Sequence, residues 1–168
     1  MGNISWVPRI NITKTISATP TISAAAYASG NQIGGIMTLA NAVRQDSNIG
    51  VGTSMVCAVT VLDKAAASAA IDIFFFNQSP TLVSTNNTAF NLTDANLVAQ
   101  CIGVASIGTA YSASSSNSVS TTANLNIPLE IPFTASANTS VFAVAVARAA
   151  ATYASTSDLT FQFTLYID

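Results

Sequence analysis

The sequence predicts an all-β protein: a jelly-roll-like antiparallel β-sandwich with one short helix and an extended N-terminal arm. Three observations lead there. The stretch from Asp158 to Asp168 puts Leu159, Phe161, Phe163, Leu165 and Ile167 on one face and Thr160, Gln162, Thr164 and Tyr166 on the other, the period-two pattern of a half-buried strand. Runs of similar character recur along the chain, separated by Gly30, Gly34-Gly35, Gly50 to Gly52, Ser79-Pro80, Pro128 and Pro132, residues that punctuate strands rather than helices. Half of the residues are hydrophobic, yet the longest unbroken apolar run, Val141 to Ala147, is far short of the ~20 residues that cross a bilayer.

Taken in order, strands are expected over Ile10 to Ile16, Gly35 to Ala42, Ser54 to Asp63, Ala70 to Asn77, Cys101 to Ile107, Val119 to Ile127, Ser140 to Arg148 and the last stretch, about eight in all. Several short strands with frequent turns suggest a sandwich or jelly roll. One helix is expected at Thr93 to Ala99, with Asn91 or Thr93 as N-cap and Asp94 at the positive end of the helix dipole. Ser112 to Thr122 has almost no large apolar groups and reads as a mobile loop leading into a strand. A length of 168 residues suits one domain, here 18 to 168. Residues 1 to 17 stand apart as an N-terminal arm or an edge strand. Ile4, Trp6, Ile10, Ile12 and Ile16 alternate around Pro8, and a proline cannot donate to a central ladder.

Charge narrows the function classes. Only 12 residues are ionic, seven acids against five bases, and there is no histidine. That removes Ser-His-Asp and Cys-His catalysis and most zinc sites together. Arg9, Lys14, Arg44, Lys64 and Arg148 are scattered singly, so a basic patch for nucleic acid is not expected. Serine, threonine and asparagine fill 54 positions and must keep the surface soluble in place of ions. The start of the chain has no basic, then apolar, secretory pattern, so synthesis in the cytoplasm and no membrane partner are expected.

Candidate chemistry is sparse. Cys57 and Cys101 sit in apolar runs and are expected to be buried, reduced and inert, with no CxxC metal pattern. Sequons occur at Asn3, Asn11, Asn77, Asn86, Asn91 and Asn138, as a chain this rich in Asn, Ser and Thr produces by chance. The acids show no spacing of a glycosidase pair; turn chemistry or an ion pair with Arg44 or Arg148 accounts for them. Gly30 to Gly35 lacks the Lys-Ser/Thr of a phosphate loop and reads as a turn. No enzyme, cofactor or metal is expected.

Several words of the sequence carry a resemblance: Thr19-Pro20-Thr21-Ile22-Ser23, Tyr27 to Gly35, Val61-Leu62-Asp63-Lys64, Ile71 to Asn77, Ala89 to Ala95, Val146-Ala147-Arg148 and Tyr153 to Leu159. From Thr19 onward the chain resembles capsid decoration, or cement, proteins of tailed bacteriophages. The resemblance implies a jelly-roll-like domain, a homotrimer, and a place on the outer face of the virion capsid with the major capsid protein as partner. It carries over no catalytic residues. Trp6, Pro8, Ile10 and Ile12 in the arm are the capsid-contact candidates, because an extended apolar segment with an aromatic anchor suits docking on a neighbour. A phage tail or receptor-binding β-module is the alternative, and exposed aromatic clusters in loops would mark it.

Overall fold

Twelve strands and one short helix make up the described part of the chain, residues 12–46, 51–132 and 139–167, in a computed structural model. Eight strands are long: β1 (Ile12–Ala18), β3 (Gln32–Leu39), β5 (Val51–Asp63), β6 (Ile71–Phe76), β7 (Cys101–Ile107), β9 (Ser118–Pro132), β10 (Val141–Ala147) and β12 (Leu159–Ile167). The others, β2 (Ala26–Tyr27), β4 (Arg44–Asp46), β8 (Ser112–Ala113) and β11 (Ala151–Thr152), are short. They form a six-stranded sheet in the order β1-β12-β5-β9-β8, with β4 also on β5, and a four-stranded sheet in the order β3-β10-β6-β7. The small β11-β2 ladder stands apart.

The alternating residues do what their period requires. On β12, Leu159, Phe161, Phe163 and Leu165 are fully buried while Thr160, Gln162 and Thr164 face out. Phe75 of β6 meets Phe163 of β12 across the sandwich, rings 5.9 Å apart and nearly perpendicular, the edge-to-face arrangement that aromatic quadrupoles favour. The small inward residues of β10, Ala143, Ala145 and Ala147, are also buried in the core. The alanine-rich strand is therefore interior and does not supply an apolar outer surface.

Breaks in the period mark bulges. Val56 and Val59 both point inward although they are three positions apart, because Cys57 is skipped in the pairing of β5 with both β12 and β9. Opposite it, Asn124 and Asn126 of β9 adopt left-handed φ values of 58° and 49°, a conformation Asn tolerates better than most. The pairing of β10 with β3 shifts at Gly34-Gly35 in the same way. Gly34 has φ +68°, and a Cβ there would lie 2.6 Å from Cβ of Pro20. Gly34-Gly35 thus bulges a strand from within and does not separate two strands, as the sequence suggested.

Two further expectations need correction. Pro128 and Pro132 lie inside β9, which is possible because β9 has no partner beyond the short β8 on its outer side among the described residues. Ser112 to Thr122 is no loose loop: β8 and the start of β9 form a hairpin closed by Ser114 N donating to Asn117 O at 2.7 Å and Ser114 Oγ donating to Asn117 Oδ1 at 2.8 Å. The helix α1 (Asp94–Gln100) stands where expected, capped by Thr93, whose Oγ1 accepts from Asn96 N.

The stretch from Asn77 to Thr93 is pinned without regular structure of its own. Gln32 N donates to Thr88 O, Asn87 N to Gln32 O and Phe90 N to Gly30 O, which closes the outer edge of β3. Asn86 is the hub beneath it. Its Oδ1 accepts from Tyr27 Oη and Gly34 N, and its Nδ2 donates to Thr21 O and Ser23 Oγ. A side chain with every donor and acceptor engaged is a structural part, which answers for one of the sequons.

Candidate docking surface

The two outer faces of the sandwich differ. Val144 and Val146 of β10 are buried yet lie outside the central core, and Phe74 of β6 meets Phe90 with ring centroids 5.0 Å apart. The Asn77 to Thr93 stretch thus covers part of the outer face of the four-stranded sheet. Where that face is open it carries Asp72, which accepts from Ser106 Oγ at 2.6 Å and pairs with Arg148 Nε at 3.3 Å.

The outer face of the six-stranded sheet is bare. Strand register builds it in rows: Thr13, Tyr166, Met55 and Pro128; Thr15, Thr164, Ala58 and Ala123; Ser17, Gln162, Thr60 and Thr121. A fourth row runs Thr160, Leu62, Val119 and Ser112. None of these residues is charged, and none is buried. Neighbouring hydroxyls pair, Thr60 with Thr121 and Thr19 with Thr160, each at 2.9 Å. Charge appears at its two ends, where Arg44 and Glu130 flank Thr53 and where the exposed Lys64 borders Leu62 and Val119. Such a face is cheap to dehydrate: the rows hold no ion that would lose its hydration, and two hydroxyl pairs are already bonded within the sheet. Depletion of charge is also the compositional mark of an interface core.

Of the residues proposed to contact a capsid, Trp6, Pro8 and Ile10 lie outside the described residues. Ile12 begins β1 opposite Ile167 and is 52% exposed. Thr13, Thr15 and Ser17 alternate with it and extend the bare face, so residues 12 to 17 belong to an edge strand. Lys14 turns the other way, and its Nζ donates to Asn41 O at 3.0 Å across the open side of the sandwich. Period two places Lys14 on the same face as Ile12 and Ile16. An inward charge on an edge strand hinders pairing with another sheet.

Asp63 and Asp158 are occupied structurally. Asp63 Oδ1 accepts from Ala65 N and Oδ2 from Ser68 N; Asp158 Oδ2 accepts from Ala154 N and Ser155 N. A cleft of about 260 Å³ beside Asp63 is lined by Lys64, Asn117 and Ser118 among others, with the carboxylate already engaged by those two amides. Among the described residues no three His, Cys, Asp or Glu side chains stand together as metal ligands. Cys57 and Cys101 are both free, but half-buried where full burial was expected: Cys57 sits at the bulge and Cys101 at the helix end, each leaning on a nearby carbonyl. No described helix is long and apolar enough to cross a membrane.

No family model and no curated protein matches the chain. Tyr111 and Tyr153, the loop tyrosines that a receptor-binding module would expose, turn inward instead. Tyr111 Oη donates to Ala69 O, and Tyr153 packs edge-on against Tyr27 with centroids 5.6 Å apart. Burial, with the Asp63 charge behind it, pushes the Tyr111 hydroxyl up to about 12, and the same causes raise Tyr153. These phenols therefore contribute stability that is complete below pH ~10, where unfolded tyrosine ionises, and is lost as pH rises through the raised values. Unfolding in alkali should be steep in that window when followed by circular dichroism. Tyr153 Oη is buried with no bonding partner, so Tyr153→Phe should leave the neutral-pH stability within about 1 kcal/mol and make the alkaline loss shallower. A large loss at pH 7 would show that the hydroxyl is bonded.

Proposed function

We propose that this chain is a structural virion protein that decorates and stabilises the outer surface of a phage capsid, bridging neighbouring capsomers, with no catalytic role. The observation that carries the reading is the bare, uncharged face of the six-stranded sheet, on a domain whose other face is partly covered by its own chain. A cement protein must bind a protein shell through area without depending on salt, and neutral hydroxyl and apolar groups on a stiff sheet suit that need. The strand order supports the jelly-roll part of the reading. Numbered among the eight long strands alone, the sheets run 1-8-3-6 and 2-7-4-5, two sheets linked as in a pair of Greek keys. The cysteines, carboxylates and tyrosines described above have structural surroundings, which favours a binding role over chemistry and gives the receptor-binding alternative no exposed aromatic cluster among the described residues.

The test places charge in the middle of the face. Thr60→Lys combined with Thr164→Lys should leave the far-UV spectrum unchanged and lower occupancy on decoration-free heads at least ten-fold, since two ammonium groups must be dehydrated or left at a gap. Ala150→Lys, on the exposed turn between β10 and β11, should decorate as the parent does. Full occupancy by the double variant would remove this face from the account. A truncation meant to probe the arm must stop at residue 11, because Ile12 to Ala18 is a sheet strand.

A further inference from the structure

Sheet edges expose unpaired amides and carbonyls, and proteins guard them. Three long edges here are guarded: β3 by the chain from Asn87 to Phe90, β1 by the inward Lys14, and β9 by Pro128 and Pro132, which offer no N–H. The fourth, β7, carries Cys-Ile-Gly-Val-Ala-Ser-Ile with no charge and no proline, and its outer side has no partner among the described residues. Val104 at its centre is 42% exposed, and the helix leading into it exposes Leu97 and Val98, the latter by 85%. Asn96 Nδ2 ties that helix to Thr81 O, which brings the exposed Val83 to the same region. Four of the six large apolar residues exposed in the described structure thus gather around the one unguarded edge.

We infer that β7 is an acceptor edge for an added strand, and that the strand is Ile4 to Val7 of a second copy of this chain. Eleven residues precede Ile12, and Ile4-Ser5-Trp6-Val7 alternates as a strand does, without charge, up to Pro8, which cannot donate further. The segment leaves from β1, whose end of the six-stranded sheet is opposite the β9 end that packs beside β7. The four residues from Pro8 to Asn11 and their flanking bonds span up to about 17 Å when extended. An arm leaving one edge and an acceptor at the other make a head-to-tail contact, which closes into a ring when the rotation permits, a homotrimer included. The main-chain bonds supply affinity, and Trp6 against Leu97, Val98 and Val104 supplies the anchor. The inference needs nothing from the capsid reading.

Trp6, the single tryptophan, reports on it directly. The full chain at micromolar concentration should sediment as an oligomer with blue-shifted tryptophan emission, and dilution to monomer should red-shift it. Val104→Lys should give a folded monomer with red-shifted emission, and Ser106→Lys on the same edge serves if the first variant misfolds. A parent chain that is monomeric overturns the inference, even with blue-shifted emission, because the arm then folds onto its own edge. So does an oligomer that both lysine variants leave intact. Failure of Thr60→Lys/Thr164→Lys to affect decoration would count against the capsid-facing sheet and leave this result untouched.

Discussion

Phe75→Ala should destabilise the fold by about 3–5 kcal/mol, the largest loss expected from a single side chain here. Phe75 is fully buried at the middle of β6 and stands edge-on to Phe163 of the opposite sheet. Truncation removes both the transfer free energy of the ring and the contact that joins the layers. Because β10 alongside contributes alanines at 143, 145 and 147, no large neighbour on that strand can swing in to fill the void. Urea unfolding should show a lower midpoint with an unchanged slope, and the thermal midpoint should fall by about 10 °C for a domain of this size. A loss under 1 kcal/mol would mean that the sheets do not meet through this pair.

Asn86→Ala comes next, at about 2–4 kcal/mol, though the residue lies in a stretch with no regular structure. Four hydrogen bonds leave with it, and the buried Tyr27 hydroxyl keeps a partner only in Ser23 N. Gly34, held in a left-handed conformation inside a bulge, loses the acceptor that meets its amide. Asn86→Asp should cost less, since it retains the acceptor for Tyr27 and Gly34 while losing the donors to Thr21 and Ser23. Equal and small effects from both changes would demote Asn86 from the hub to an ordinary loop residue. Amide exchange should confirm the site of damage, with protection lost first at Gly34 and along residues 87–90.

The strands were largely legible because one face of each must be buried, which imposes period two. Cys101–Ile107 falls where the sequence put it, and Thr93 is the cap of the two candidates, Asn91 and Thr93, that preceded Asp94. The misses share a cause. Gly34-Gly35, Pro128 and Pro132 look like punctuation in one dimension, and only pairing shows that a bulge or an unpaired edge accommodates them. The Ser112 to Thr122 hairpin was hidden because it is closed by polar bonds between Ser114 and Asn117, backbone to backbone and side chain to side chain, with hardly any apolar pattern. The uncharged rows of the candidate surface were half visible: Thr160, Gln162, Thr164 and Tyr166 were assigned to one face of the last strand, but their continuity with Thr60, Thr121 and Thr15 depends on register between distant strands. Period two puts Lys14 on the face of Ile12 and Ile16, but its partner, the Asn41 carbonyl, has no sequence signal.

The most direct measurement for the decoration account is a cryo-EM reconstruction of a purified particle at a resolution that separates strands. The account predicts density for this sandwich on the outside of the head, with the rows through Thr15, Thr164, Thr60 and Thr121 against the shell and the Asp72–Arg148 side facing solvent. Density at the tail, no density on the head, or a bound domain whose six-stranded sheet faces solvent would contradict it.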